Sequence, residues 1–212
     1  MLELGVKFSL AYLLGALLGS LILGRLRGVD IRRLGSGNAG ATNALRTQGK
    51  LFGLAVLLID AGKGVLAVLY LPIAPWPPPD PAVSREWLTL ACALGVIVGH
   101  VYPVWFSFRG GKGVATMMGV IGALEPRLLI PVSIAWLAVL VLTGYVGLAS
   151  IIAGAALVAF VYATEPANAP LLAFCVAIEL FVVFTHRANI ARMVSGTEHR
   201  VQKLWLFRSR TA

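Results

Sequence analysis

The apolar run Leu51–Leu71, LFGLAVLLIDAGKGVLAVLYL, decides the fold class of this chain. A helix needs about 20 mostly apolar residues to cross the hydrocarbon core of a bilayer, and this run has that length. The whole chain of 212 residues is 58% hydrophobic and only 13% charged, with a mean hydropathy of +0.86. Soluble domains carry about 25% charged residues. The sequence therefore predicts an all-α, polytopic integral membrane protein, built as one transmembrane domain over residues 1–212.

Six further apolar runs accompany the first one. They are Leu4–Leu23, Trp87–Phe106, Val114–Leu124, Leu128–Thr143, Val146–Ala163 and Ala169–Thr185. Val114–Leu124 is short for a spanning helix and Leu128–Thr143 is marginal, since roughly 17–25 residues are the usual range. Length alone therefore leaves the number of crossings open.

The distribution of basic residues resolves the number of crossings. The loop after the first run and the carboxyl-terminal tail are both rich in lysine and arginine, whereas the proline-rich loop Pro72–Glu86 contains only Arg85. The basic residues are Arg25, Arg27, Arg32, Arg33, Arg46 and Lys50 in the loop, and Arg187, Arg192, Arg200, Lys203, Arg208 and Arg210 in the tail. Because basic loops stay in the cytoplasm, both segments are expected there. This requires an odd number of crossings, and we expect seven helices with the amino terminus outside.

The net charge of +9 has the same explanation. Basic residues beside spanning segments contact the anionic headgroups of membrane lipids. They do not form one exposed basic face, so nucleic acid is not an expected partner. Cys92 and Cys175 lie inside apolar runs and are expected to be small core residues, without a disulfide.

Three polar motifs adjoin the apolar runs. We call Gly35–Asn43 (GSGNAGATN) the first motif, Arg109–Thr116 (RGGKGVAT) the second and His186–Arg192 (HRANIAR) the third. Glycine allows a backbone N–H to approach a ligand closely, and the start of a helix attracts anions. With seven crossings all three motifs share the cytoplasmic face. Together they predict phosphate chemistry at a membrane surface.

These motifs, in this order, resemble those of the bacterial acyl-phosphate:glycerol-3-phosphate acyltransferase family (PlsY). The resemblance extends from Leu4 to about Val201 and includes Arg46, Gly196 and Glu198 in addition to the three motifs. Ala39 departs from the proline or valine that the family often has there. The resemblance implies an enzyme of the bacterial cytoplasmic membrane with its active site facing the cytoplasm. It would move a fatty acyl group from acyl phosphate to the 1-hydroxyl of glycerol 3-phosphate, the first step of phospholipid synthesis.

The resemblance also implies a set of site residues drawn from all three motifs. The expected catalytic residues are Ser36, Arg46, Lys112, His186 and Asn189. The expected substrate-binding residues are Gly37, Asn38, Thr42, Asn43, Gly110, Gly111, Gly113 and Thr116. No metal and no cofactor is expected, because no clustered carboxylates suggest a magnesium site and no Gly-x₄-Gly-Lys-Ser/Thr phosphate loop occurs.

The residue types fit this chemistry. Arg46 can grip a phosphate with two hydrogen bonds, while Lys112 can act as a mobile point charge between phosphates. Backbone N–H groups of the glycines in the second motif are candidates for the leaving phosphate or the oxyanion. His186 and Asn189, spaced i, i+3, can orient the glycerol hydroxyls. Either His186 or a substrate phosphate can take the proton, since their pKa values are close.

Three questions stay open from the sequence. Asp60 and Lys63 share one helix face, and a structural ion pair is favoured slightly over a catalytic role. Glu179 is about 10 Å from His186 along the helix axis, too far for a direct hydrogen bond, so a structural role or a role in supporting the site residues is favoured. His100 is expected to be structural.

A transporter or channel for an organic anion is the alternative function, although no internal repeat supports it.

Overall fold

The computed structural model describes residues 1–202, 205 and 206, so Lys203, Arg208 and Arg210 of the basic tail lie outside the described residues. The described part of the chain is helical and contains no strand. It divides into two compact units, Met1–Glu125 and Pro126–Ala212, which we describe separately. The expectation of an all-α fold is confirmed, and that of a single domain stays a prediction.

Unit 1 contains six α-helices, with 3₁₀ turns at Ile31–Arg33 and Val104–Phe106. The helices are α1 (Leu2–Gly15), α2 (Gly19–Leu26), α3 (Ala41–Gln48), α4 (Lys50–Leu69), α5 (Arg85–Val101) and α6 (Val114–Leu124). Helix α4 corresponds to the apolar run Leu51–Leu71, α5 to the run from Trp87 and α6 to the short run Val114–Leu124. The first and second motifs form the connections that lead into α3 and α6.

The first apolar run is broken, which the sequence analysis did not anticipate. Helix α1 ends at Gly15, α2 begins at Gly19, and the two are bent by 43°. A break inside a membrane exposes backbone groups that must find partners within the protein. The side chain of Lys63 supplies two of them, because its Nζ donates to the carbonyl oxygens of Gly15 (2.7 Å) and Leu17 (3.1 Å).

Asp60 completes this arrangement. Its Oδ1 accepts a hydrogen bond from the backbone N–H of Gly19 at 3.1 Å and lies 3.1 Å from Lys63 Nζ. Both side chains are buried, with relative exposures of 0% for Asp60 and 4% for Lys63. The ion pair expected from the i, i+3 spacing is therefore present, and its partners are the backbone groups of the helix break.

A second buried charge cluster joins the start of α1 to the segment around Pro72. Glu3 accepts hydrogen bonds from Lys7 (2.9 Å) and Arg85 (2.7 Å), and Lys7 also donates to the carbonyl oxygen of Pro72 (3.0 Å). Glu3 and Lys7 are both buried. The cluster ties together segments far apart in sequence, and the apolar pattern of α1 gave no sign of it.

Helix α1 packs closely on α5 through glycine. A Cβ at Gly99 would lie 2.0 Å from the carbonyl oxygen of Tyr12, and one at Gly15 would lie 2.1 Å from that of Val96. Real atoms do not approach so closely, so neither position accepts a side chain without moving a backbone. Small residues at helix contacts are the usual means of close packing in membranes.

Unit 2 contains four described helices, preceded by a 3₁₀ turn at Pro126–Leu128. The helices are α7 (Leu129–Thr143), α8 (Val146–Thr164), α9 (Ala169–Thr185) and α10 (Arg187–Val194). Helices α9 and α10 are bent by 52° at His186, so the third motif marks this bend. Gly154 of α8 faces Glu179 of α9, since a Cβ at Gly154 would lie 1.8 Å from Glu179 Oε2.

All seven apolar runs are helical, but the number of crossings is not determined by length. Four described segments are long and apolar enough to span a membrane, namely α4, Arg85–Phe106, Pro126–Thr143 and α8. The bent pairs α1–α2 and α9–α10 raise the count to six if each pair is one span, and α6 is apolar but shorter. Seven crossings therefore stay a prediction.

The close contact between α1 and α5 predicts a selective effect of adding one methyl group. We expect Gly99→Ala to lower the midpoint of thermal unfolding in detergent, because overpacking typically costs about 1–3 kcal/mol. Gly62→Ala is the matched control, since Gly62 is also in a helix and a Cβ there would meet nothing within 4 Å. Alanine should leave that midpoint unchanged or raise it. Equal midpoints for the two variants would contradict the packing argument.

Candidate active site

The first motif forms a loop that is organised by one buried side chain, Asn43. Its Oδ1 accepts from the backbone N–H of Ser36 (2.9 Å), and its Nδ2 donates to the carbonyl oxygens of Ile31 (3.2 Å), Leu34 (2.9 Å) and Asn38 (3.0 Å). Asn43 is 1% exposed. Its amide therefore shapes the loop from within, and a direct contact with substrate stays a prediction.

The other polar groups of the first motif are accessible. Ser36, Gly37 and Thr42 are exposed, as is Arg46 three residues beyond the motif, and Asn38 is half-buried. Thr42 and Arg46 are four residues apart on α3 and therefore lie on the same face of the helix. Gly35 and Gly37 have positive φ angles of 55° and 74°, a conformation that glycine adopts without strain. The loop thus presents a hydroxyl, a backbone turn and a guanidinium on its exposed side.

Arg32 precedes the first motif and contacts the start of the second, whereas its place in the basic loop predicted only a role in membrane orientation. Its Nη1 donates to the carbonyl oxygens of Phe106 (3.0 Å) and Arg109 (3.3 Å), and its Nη2 pairs with Asp30 at 2.8 Å. The hydrogen bond from Arg32 lowers the pKa of the Asp30 carboxyl below its usual value. The stability that this pair contributes is therefore present at neutral pH and is lost as the pH falls through the lowered pKa.

The glycines of the second motif are explained by close contact with α5. The N–H of Gly110 donates to the carbonyl oxygen of Val101 (3.1 Å) and that of Gly111 to the carbonyl oxygen of His100 (3.2 Å). A Cβ at Gly110 would lie 2.0 Å from His100 O, and one at Gly111 would lie 2.3 Å from His100 Nε2. Both N–H groups that were expected to face a phosphate therefore donate within the protein, and a contact of Gly110 or Gly111 with substrate stays a prediction.

The start of α6 offers the alternative donors. Gly113, with a φ of 84°, precedes the helix, and its carbonyl oxygen accepts the first intrahelical hydrogen bond, from Met117 at 2.8 Å. Helix geometry leaves the N–H groups of Val114, Ala115 and Thr116 without intrahelical acceptors. These groups, next to the half-buried Lys112, form a helix start of the kind that suits anions.

The side chain of Thr116 points into unit 1. It is 0% exposed, and its Oγ1 lies 3.2 Å from His100 Nδ1. The expected substrate contact of its hydroxyl stays a prediction, whereas its contact with His100 is part of the structure.

The third motif places His186 at the bend between α9 and α10 in unit 2. The side chain is buried, and Nδ1 lies 2.8 Å from the carbonyl oxygen of Val182. A carbonyl oxygen only accepts, so Nδ1 carries a proton in this contact; when the ring is neutral, Nε2 is the acceptor nitrogen. Such a ring can accept a hydrogen bond, or a proton, from a hydroxyl at Nε2.

Asn189 is oriented by a residue beyond the motif. Its Nδ2 donates to Glu198 Oε1 at 2.6 Å, and the other oxygen of Glu198 accepts from Arg192 Nε at 2.6 Å. Gly147 of α8 makes room for Asn189, since a Cβ there would lie 2.9 Å from Asn189 Cβ. Glu198, which belonged to the family pattern without a role of its own, therefore holds both Asn189 and Arg192 in place.

Two further points concern Glu179, whose role the sequence left open, and possible metal ligands. Glu179 is half-buried against α8, and its Oε2 has no hydrogen-bond partner among the described residues. No group of three or more His, Cys, Asp or Glu side chains that could hold a metal ion occurs in the part of the chain that the structure describes.

Apolar helices that carry phosphate-suited motifs at their ends define this protein as an integral membrane protein with a candidate site for anionic substrates. The family model described as glycerol-3-phosphate acyltransferase matches residues 6–196. The chain therefore belongs to the glycerol-3-phosphate acyltransferase family, as the resemblance of its motifs indicated.

Individual relatives agree with this assignment. The glycerol-3-phosphate acyltransferase of Sinorhizobium medicae is 40% identical over 208 residues, covering 94% of this chain and 95% of the relative. That of Aquifex aeolicus is 37% identical over 195 residues, covering 90% and 95%. A crystal structure of PlsY, an integral membrane glycerol 3-phosphate acyltransferase, in its glycerol 3-phosphate form is similar with a TM-score of 0.81. It is 33% identical to this chain and covers 95% of it and 96% of its own chain.

Proposed function

We propose that this protein transfers a fatty acyl group from acyl phosphate to the 1-hydroxyl of glycerol 3-phosphate, giving 1-acyl-glycerol-3-phosphate and phosphate. The observation that carries the proposal is the family match over residues 6–196, which includes all three motifs. The similar PlsY structure in its lysophosphatidic acid form, with a TM-score of 0.80, supports the product. Release of phosphate from acyl phosphate that depends on glycerol 3-phosphate, measured on purified protein, is the direct test.

The chemistry asks little more of the protein than holding two anions. An acyl phosphate is a mixed anhydride with a good leaving group, so the carbonyl is already activated. The protein must bind both phosphates, stabilise the developing oxyanion and receive one proton. In unit 1 the exposed guanidinium of Arg46, the ammonium of Lys112 and the first turn of α6 are suited to phosphate.

The acceptor hydroxyls need neutral partners with fixed orientation. His186 is suited because Val182 fixes its tautomer, and Asn189 because Glu198 fixes its amide. Ser36 and Thr42 add exposed hydroxyls in unit 1. We propose His186 and Asn189 as the groups that orient glycerol 3-phosphate, with the proton going to His186 or to a substrate phosphate.

We further propose the membrane arrangement given by the charge distribution. The protein then crosses the bacterial cytoplasmic membrane seven times, with the amino terminus outside and the active site facing the cytoplasm. The basic residues between the first two apolar runs, Arg25 and Arg27 among them, support this orientation.

Removing the phosphate-binding cations is expected to reduce activity strongly. Arg46→Ala and Lys112→Ala should each lower kcat/KM by at least about tenfold, because a hydrogen bond to a charged group contributes about 1.5–3 kcal/mol. Arg46→Lys should restore little if two hydrogen bonds are required. Lys50→Ala is the control, since Lys50 is exposed at the start of α4. Full activity in either alanine variant would show that the replaced residue does not bind phosphate and contributes only to membrane orientation.

The hydroxyl of glycerol 3-phosphate is expected to attack the acyl carbonyl directly, without an acyl-enzyme. Within unit 1, no imidazole or carboxylate hydrogen-bonds the Ser36 hydroxyl, so Ser36 lacks the base that a nucleophile needs there. Acyl phosphate alone should then give no burst of phosphate and no acylated protein, measured by rapid quench and mass spectrometry.

Phosphate release measured with both acyl phosphate and glycerol 3-phosphate separates the two proton acceptors. His186→Gln should retain measurable turnover if His186 only orients the hydroxyl, and almost none if it is an obligatory base. A stoichiometric acyl ester on Ser36 would overturn direct attack.

The proposed orientation predicts opposite labelling of two introduced cysteines. Ala82→Cys and Gln202→Cys, both at exposed positions, should react with a membrane-impermeant thiol reagent from opposite sides of the membrane. The native Cys92 and Cys175 are buried, so the unmodified protein is the control for background labelling. Reaction of both positions from the same side would mean an even number of crossings between them. That result would exclude the proposed seven-helix arrangement. Ser209, at the end of the tail, is another cysteine position, but it lies outside the described residues.

A further inference from the structure

His100 is a buried polar residue at the end of α5 that contacts three other parts of unit 1. It is 2% exposed, and its Nδ1 lies 3.2 Å from Thr116 Oγ1 in α6 and 3.6 Å from Asp60 Oδ1 in α4. The opposite nitrogen, Nε2, faces Gly111 so closely that a Cβ there would lie 2.3 Å away. The imidazole therefore fills the space between two helices and the second motif.

The backbone of His100 holds the same segment. Its carbonyl oxygen accepts from Gly111 N, while the next carbonyl, of Val101, accepts from Gly110 N. The chain from Gly110 to Gly111 thus lies directly on the end of α5, and Lys112 is the next residue. The position of the Lys112 backbone is consequently set by His100 through both its carbonyl and its ring.

The ring itself has a firm anchor. Asp60 is held by Gly19 N and by Lys63, and Lys63 is held by the carbonyl oxygens of the broken span between α1 and α2. Asp60, Lys63 and Gly19 are all buried. A side chain wedged against such a network has little freedom to move, which is what a support for a ligand-binding segment requires.

We infer that His100, fixed by Asp60 and Thr116, is a positioning residue for the Gly110–Gly113 segment that carries Lys112. It acts through Lys112 and the start of α6 and touches no reacting atom. This gives Thr116 a role in support of His100 in place of the direct substrate contact expected from the sequence. The inference rests on the proposed function, in which Lys112 binds phosphate. A shift of about 1 Å in such a group can lower the rate about a hundredfold.

Thr116→Val tests this inference with the least disturbance. Valine has nearly the shape of threonine but lacks the hydroxyl that contacts His100 Nδ1, whereas Thr116→Ser keeps the hydroxyl. We expect Thr116→Val to lower kcat/KM about tenfold and to raise KM for at least one substrate, and Thr116→Ser to stay near the unmodified protein. A smaller fraction of folded enzyme would lower kcat but change neither KM.

Hydrogen–deuterium exchange supplies a readout that does not depend on activity. The N–H groups of Gly110 and Gly111 donate to the end of α5, so their exchange should accelerate in Thr116→Val, while the segment Gly35–Asn38 should be unchanged. Cys92→Ala is the matched control, because Cys92 is buried in the same helix about 12 Å from His100 along its axis. It should alter neither the exchange of the second motif nor either KM.

The possible outcomes distinguish a failure of the positioning role from a failure of the proposed function. Unchanged kinetics in Thr116→Val overturn the positioning role, whether or not exchange accelerates. Impaired kinetics with unchanged exchange at Gly110 and Gly111 overturn it as well, since the effect would then not pass through this segment. If the unmodified protein does not release phosphate from acyl phosphate with glycerol 3-phosphate, the proposed function fails. The exchange measurement then still decides whether His100 and Thr116 fix the segment.

Discussion

Two opposite charges, Asp60 and Lys63, lie inside an apolar helix, where each alone would cost about 2.5–3.5 kcal/mol to insert in a membrane. They are stable there because each charge has two kinds of partner. They pair with one another, and they also satisfy the N–H of Gly19 and two carbonyl groups at the break between α1 and α2. The two charges satisfy backbone groups that the break leaves unpaired, and these backbone groups in turn stabilise the two charges. Replacing either partner would leave a buried charge and unpaired backbone groups together.

The sequence predicted the helices well because apolar runs in a membrane leave few alternatives. An unpaired backbone group is so costly in lipid that a long apolar run becomes a helix, and all seven runs did so. The break at Gly15 escaped prediction because the run stays apolar through it. The only sequence feature related to the break lies in another helix. It is the charged pair Asp60 and Lys63 in α4, which needed partners. Sequence periodicity reports on a helix and its own face, whereas this contact joins residues 41 positions apart.

The motifs of the candidate site were also visible in the sequence, but the use of their glycines was not. A glycine indicates that something approaches the backbone closely, without saying what. At Gly110 and Gly111 the close neighbour is His100, and the N–H groups of both glycines hold the loop on α5. Arg32 was hidden for a related reason. It is one of several arginines in a basic loop, and only the fold distinguishes the one that reaches the carbonyl oxygens of Phe106 and Arg109.

Burial divides the polar residues of unit 1 into two groups with different tasks. Asn43, Thr116 and His100 are buried, and their side chains contact other groups of the protein. The hydroxyl of Ser36 and the guanidinium of Arg46 are exposed, and they lie on the segments that these buried residues fix in place. A polar side chain within a membrane protein is costly unless it is satisfied, so the interior members of each motif must be hydrogen-bonded before any substrate arrives. The exposed groups proposed to bind substrate therefore lie on segments that are already fixed, and fixed groups of this kind need not be ordered at the expense of substrate affinity.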